Sequence, residues 1–131
     1  MTFAWTDYLT IAQDLAKAGP ASPAEACQRA AIGRAYYAVF GRALQVFVDL
    51  GEYRSFGSGE DHAKLARQLA MSQERRRREI GVALDRLRPA RRWADYTIGA
   101  KPAGLMFHTG APACVKAKQA IDLIDQVFAN P

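Results

Sequence analysis

The sequence predicts an all-α fold, an up-and-down bundle of four or five helices around a long central helix at about residues 23–50. Two observations carry this. Apolar residues recur three and four positions apart along most of the 131-residue chain, and no alternating stretch reads as a convincing strand. The stretch from Ser22 to Gly51 is also apolar around nearly its whole girth, so it has to be packed on several sides. Absence of repeats, low-complexity tracts and linker-like stretches makes residues 1–131 one domain.

The first helix is expected over residues 3–18, with Trp5, Tyr8, Leu9, Ala12, Leu15 and Ala16 inward and Thr2 or Thr6 as its cap. Gly19-Pro20 ends it. The central helix opens on Ser22-Pro23-Ala24-Glu25, a capping serine followed by proline in the first turn. Gly51 is its expected left-handed stop. Arg34, Ala38, Arg42, Gln45 and Asp49 trace a narrow solvent stripe. Gly33, Tyr37 and Gly41 share a face, where two glycines would let a neighbouring element come close.

After the loop at 52–59, Ser58 and Asp61 predict the cap of a third helix, 60–71, with His62, Leu65, Ala66 and Leu69 inward. Ser72 predicts the cap of a fourth helix through Gln73–Arg88. Its core stripe is Ile80, Ala83, Leu84 and Leu87, continuing to Ala90 or Arg91 and Ala94. Pro89 should kink or restart it. Residues 97–111 read as a long loop whose Leu105, Met106 and Phe107 tuck onto the bundle. Pro112 opens the last helix, which buries Ala117, Ala120, Ile121, Ile124, Val127 and Phe128.

Composition narrows the function classes. Half of the residues are hydrophobic and 24% are charged, an ordinary globular balance. The absence of a long uncharged apolar run and of a leader-like N-terminus leads us to expect a cytoplasmic protein without a membrane span. Cys27 and Cys114 lie in helical apolar patterns and read as buried free thiols. The sequence contains no glycine-rich phosphate loop, no G-x-S-x-G, no H-E-x-x-H and no zinc-type His/Cys pairing, so neither a cofactor nor a metal is expected.

The formal net charge of +5 permits an acidic partner. Its excess is concentrated in Arg75–Arg78 and in Arg86, Arg88, Arg91 and Arg92. Consecutive arginines on a helix point in different directions, so the first group reads as a solvated helix start balanced in part by Glu74 and Glu79. His62 reads as a capping or half-buried histidine and His108 as a loop residue.

Two clusters remain: Arg34-Ala35-Tyr36-Tyr37-Ala38-Val39-Phe40 and Leu87 to Tyr96, which ends Arg91-Arg92-Trp93-Ala94-Asp95-Tyr96. With the opening Asp7 to Leu15 and the glycine loop leading to His62, they resemble the HEPN domains (higher eukaryotes and prokaryotes nucleotide-binding). The resemblance spans most of residues 5–96, and the last helix fits the family's closing element. It implies a short helical bundle, often a homodimer. Family members act as metal-independent ribonucleases, as partners of small nucleotidyltransferases in toxin–antitoxin pairs, or as non-catalytic RNA- or nucleotide-binding modules. The nuclease members carry Arg, four to six residues, then His, in which His moves protons and Arg steadies phosphorane charge.

Here Arg91 occupies the family's Arg position, but Tyr96 or the nearby Asp95 stands where His is expected. An unperturbed tyrosine is a poor base at neutral pH. This leans the reading away from an enzyme and toward a nucleotide- or RNA-binding module. Its expected ligand contacts are Arg88, Arg91 and Arg92 for phosphate, and Trp93 or Tyr96 for stacking. The structural reading of the same cluster pairs Asp95 with Arg91 or Arg92 and packs Trp93 and Tyr96 on a neighbouring helix. Two alternatives stand beside the module: a ribonuclease toxin drawing on Arg91, Asp95, Tyr96 and a His62 brought near by the fold, and a purely structural or oligomerisation bundle.

Overall fold

The computed structural model describes residues 3–18, 24–97, 101 and 103–131. Among them are five helices and no strand: α1 (Asp7–Ala16), α2 (Ala24–Asp49), α3 (Glu60–Ala70), α4 (Arg75–Tyr96) and α5 (Gly110–Ala129). The expected signals at Thr2, Gly19-Pro20 and Ser22-Pro23 fall outside the described residues, as do positions 98–100 and 102 of the long loop.

The 26 residues of α2 make a rod of roughly 39 Å at ~1.5 Å per residue. It packs against α1, α4 and α5, while α3 packs on α4. This enclosure explains its composition. Ile32, Ala35, Tyr36, Ala38, Val39, Ala43, Val46 and Phe47 are all fully buried. Ala38, assigned to the solvent stripe by spacing, belongs to the core because neighbours cover that side too. Arg34 and Asp49 do face solvent, and Arg42 and Gln45 are half-buried. Gly51 adopts the left-handed φ of 73° that the helix stop needs.

Small residues set how closely the helices approach. A Cβ on Gly41 would lie 2.0 Å from the Trp5 ring, and one on Gly33 would lie 2.9 Å from Asp95 Oδ1. The expected close approaches on this face of α2 are therefore made by a ring before α1 and by the C-terminal turn of α4. Gly81 is tighter still in kind: its Cβ would stand 2.1 Å from the backbone nitrogen of Ala70, so α3 and α4 meet backbone to backbone.

Several boundaries differ from expectation, each for a local reason. Helix α4 continues through Pro89 to Tyr96 instead of ending at Arg88. Pro89 sits on the exposed face, while Leu87, Ala90, Arg91, Trp93 and Ala94 bury the other side, so packing holds the helix across the missing donor. The side chain of Glu74, not Ser72, caps α4 by accepting the Arg76 N–H; Ser72 Oγ accepts from Glu74 N at 3.1 Å. Thr6 and Gly59 occupy the cap positions of α1 and α3 without a side-chain cap bond. Ser58 Oγ accepts from Glu60 N at 3.3 Å, and Asp61 is drawn elsewhere. Helix α5 starts at Gly110, which places Pro112 inside the first turn, where no donor is needed. Leu105 and Phe107 pack on the core, but Met106 is 57% exposed, and Phe128 is 47% exposed under the Arg42 guanidinium. Cys114 is buried and Cys27 half-buried, both as free thiols.

The arginine run is only partly solvated. Arg75 pairs with Glu79, and Arg76 with Glu74. Arg77 is largely covered, bridging Glu74 and Glu52 with both Glu52 contacts at 2.8 Å. Arg76 also donates to the Asn130 carbonyl at 3.0 Å. These charges tie the start of α4 to the end of α5 and to the loop after α2. Hydrogen bonding and the Arg77 charge hold Glu52 below the usual carboxylate range.

The backbone crossing at Gly81 has a direct test. Gly81→Ala should lower unfolding free energy by about 1–3 kcal/mol in urea denaturation, because overlap with backbone outweighs the ~1 kcal/mol of helix propensity gained. Gly59→Ala is the control. Gly59 has nothing within 4 Å of its Cβ position and an ordinary φ of −60°, so that variant should be neutral or slightly stabilised.

Candidate nucleotide-binding site

The last three turns of α4 carry the candidate residues, and helical spacing divides them between two sides. Arg88, Arg92, Trp93 and Tyr96 line one cleft of about 730 Å³, together with Asp85 and Thr97. Arg91 faces inward and is only 7% exposed. Four of the five expected ligand contacts are thus in one hollow, and the fifth is behind it.

Arg91 lies in an aromatic box. Its guanidinium carbon is 5.3 Å from the Tyr36 ring centre, 5.1 Å from Tyr37 and 5.4 Å from Tyr96. Such contacts are worth about 0.5–2 kcal/mol each when desolvated. Asp95 Oδ2 stands 4.0 Å from Arg91 Nε, an ion pair without a hydrogen bond. Accordingly Arg91 Nε is a buried donor with no partner, and Arg88 Nε is another. Asp95 pairs with Arg91 and not Arg92, and its carboxylate lies over Gly33.

Trp93 is 8% exposed and is held by the Arg29 guanidinium, 4.5 Å from its ring centre. Arg29 in turn donates to the Thr97 carbonyl at 2.6 Å and pairs with Glu25 at 3.3 Å. Trp93 therefore forms a wall of the cleft and is not an open stacking platform. Tyr96, at 72% exposed, presents the free ring. It does not pack on a neighbouring helix as the structural reading supposed.

His62 sits at the same box from the α3 side. Its ring stacks on Phe40 at 4.0 Å and lies 5.6 Å from Tyr36 and 5.9 Å from Tyr37. Tyr36 OH and His62 Nδ1 are 2.6 Å apart. Burial pushes the Tyr36 hydroxyl well above the usual phenol range, so it keeps its proton. Burial, then the charges of Arg91 and Arg88, hold His62 below the ordinary 6.5 in spite of Asp61. With the ring neutral, one of its nitrogens carries the proton, and that choice sets which of Tyr36 OH and His62 Nδ1 donates.

Asp61 places His62. It is 3% exposed and accepts from Tyr53 OH at 2.7 Å, Ser55 Oγ at 2.5 Å and Phe56 N at 2.9 Å. Burial pushes its carboxyl upward, but the bonds from Phe56, Ser55 and Tyr53 win and hold it below the usual range. The loop is thereby pinned to the first turn of α3. Asp61 stands at a helix start in the sequence, and only the fold brings Tyr53 and Ser55 round to it. Tyr36 and Tyr37 are core residues first, yet their outer edges make the wall that joins His62 to Arg91. His108 is exposed in the loop before α5.

Among the described residues, no group of three or more His, Cys, Asp or Glu side chains could hold a metal ion, and no helix is long and apolar enough to cross a membrane. Comparison of the chain with protein-family models, with curated proteins and with solved structures returns no match.

The charge coupling at the box is measurable. In an NMR titration His62 should show a midpoint below 6.5, and Arg91→Gln should move it upward by removing a neighbouring positive charge. A midpoint unmoved by Arg91→Gln would contradict the placement of the two side chains. The sign for stability follows from linkage. The folded state takes up this proton less readily than the unfolded chain, so the His62 contribution is complete above pH ~6.5 and is lost as pH falls through the folded value.

Proposed function

We propose that this chain is a HEPN-like nucleotide- or RNA-binding module. The carrying observation is the convergence of Arg88, Arg92, Trp93 and Tyr96 on one cleft. Arg88 and Arg92 supply phosphate contacts from one helix face, and the exposed Tyr96 ring supplies a surface on which a base stacks. Arg91 backs the cleft and adds positive potential from a position of low solvent access, where its field is least screened.

The proposal includes two partners that the resemblance implies: a second copy of this chain, and a small nucleotidyltransferase in a toxin–antitoxin-type pair. A ribonuclease is the second reading, and one contact favours it. His62 and Arg91 lie against the same two rings, Tyr36 and Tyr37, although 29 positions separate them in sequence. In that reading the His62 imidazole handles the proton and Arg91 the phosphate charge.

Fluorescence anisotropy with a labelled single-stranded RNA and a labelled ATP analogue at ~50 mM salt separates these readings. The module should bind at least one probe and leave the RNA intact. Tyr96→Ala should weaken binding roughly 5- to 150-fold with the helical circular-dichroism spectrum retained, because base–aromatic stacking is worth about 1–3 kcal/mol and the ring is exposed. RNA cleavage abolished by His62→Gln would establish the ribonuclease instead. Binding of neither probe would overturn both and favour a structural bundle.

A further inference from the structure

The end of α1 meets the start of α5, and Thr6, before α1, shares a hollow with Asp125, so the two helices run antiparallel. Small residues let them touch at the first of these places: a Cβ on Gly110 would lie 2.9 Å from the Ala16 Cβ. Gln28 locks that end. It donates to the Ala16 carbonyl at 3.1 Å and accepts from Gly110 N at 2.6 Å. Beyond this clamp lies a hollow of about 350 Å³ walled by Ala16, Ala111, Cys114 and Val115, short side chains that leave the space unfilled. Ligand sites begin at about 300 Å³. Val115 is 60% exposed there, an apolar surface that no part of the described chain covers.

The charges around this hollow are of one sign. Four other hollows of the described residues each have Asp or Glu in the wall. This one has neither, and its charged groups are Lys17 and Lys118. Among the described residues, no carboxylate lies within ion-pair distance of Lys17. The rest of the chain, residues 1–2, 19–23, 98–100 and 102, contains no Asp or Glu. Asp14, one turn before Lys17, is exposed and forms no part of the wall. Lys118 pairs with Asp122 at 2.6 Å, but both side chains are more than half exposed, so the pair offers little resistance to a competing anion. Asp122 itself lines a different hollow, between α4 and α5. Burial pushes the Cys114 thiol up, so the floor stays uncharged at pH 7.

We infer that this hollow binds a free medium-chain fatty carboxylate, with the aliphatic tail on Ala16, Ala111, Cys114 and Val115 and the head group on the Lys17 ammonium. The site is separate from the α4 cleft and does not depend on the nucleotide-binding reading. Apolar walls favour an alkyl tail in proportion to the surface it removes from water. A cationic rim without a carboxylate favours one negative charge at the end of that tail. The trough is long for its volume: Lys118 lies seven residues past Ala111, roughly 10 Å along α5 at ~1.5 Å per residue. That shape suits an extended chain. An α-helix of a partner, about 10–12 Å across, is too thick to seat in it. A second copy meeting here across a two-fold axis would set Lys17 and Lys118 against their own equivalents, like charge on like.

The test is an NMR titration of the isotope-labelled full chain at pH ~7 with octanoate, butyrate and octanol, each kept below micellar concentration. Octanoate should shift the amides of Gln13, Lys17, Cys114 and Val115 to saturation. It should bind at least roughly tenfold more tightly than butyrate, because its longer tail leaves water. Lys17→Gln should weaken octanoate roughly 2- to 5-fold and leave octanol binding unchanged, with the helical circular-dichroism spectrum retained because Lys17 is exposed. No saturable shift in the hollow, equal affinity for butyrate, or full octanoate affinity in Lys17→Gln would each overturn the site. Shifts of the same amides on dilution of the protein alone would make a second copy the occupant, and shifts with phosphatidylglycerol vesicles but not with octanoate would make it a membrane surface. Either result overturns the fatty carboxylate, and the reading of the α4 cleft stands in every case.

Discussion

Much of this structure depends on a buried guanidinium held between two helices. Arg91 projects from α4 onto the Tyr36 and Tyr37 rings of α2, and α4 can lie there because Gly33 leaves room for Asp95. Taking a charge out of water costs several kcal/mol, and the compensation visible here is incomplete. The rings contribute cation–π attraction, Asp95 stands at the outer limit of an ion pair, and Nε has no partner. A leucine in its place would give the bundle a simpler core. The arrangement is therefore poor evidence of a device for stability, and under the proposed nucleotide-binding reading the charge is kept for a ligand.

The same charge reaches outward and across. On the outer side it adds to Arg88 and Arg92 at the cleft. Across the aromatic box it opposes protonation of His62, which is already disfavoured by burial. One helix turn thus couples the electrostatics of the cleft to the state of a histidine on α3, with Tyr36 as the hydrogen-bonded link. The other arginine cluster has a different use. Arg75, Arg76 and Arg77 pair with Glu79, Glu74 and Glu52, which leaves the unpaired positive charge to the later turns of α4.

The architecture was legible because the helices are amphipathic and α2 is not. Periodicity located all five helices and most of their buried stripes. Its failures came where neighbours decide. Ala38 is polar by register and core by enclosure, and Phe128 is the reverse. Pro89 was a stop signal by local chemistry, overridden by burial on the opposite face. At the site, Arg88, Arg92 and Tyr96 stand four apart on one helix face, but the sequence reading placed the inward Arg91 with them, and Trp93 needed Arg29, sixty-four positions away, to show that its ring is covered. The meeting of His62 with Tyr36 was beyond any local signal, since the pair spans two helices and a loop organised by Asp61.

The most direct test of the proposed nucleotide-binding reading is where an oligonucleotide binds on the folded protein. Backbone amide chemical-shift mapping with an unlabelled oligouridylate should perturb the cleft residues of α4 from Arg88 to Thr97. Helix α1 and the far end of α5 should stay unchanged. Perturbations centred instead on Gln13, Lys17 and Val115, in the hollow between α1 and α5, would contradict the assignment of the site to α4.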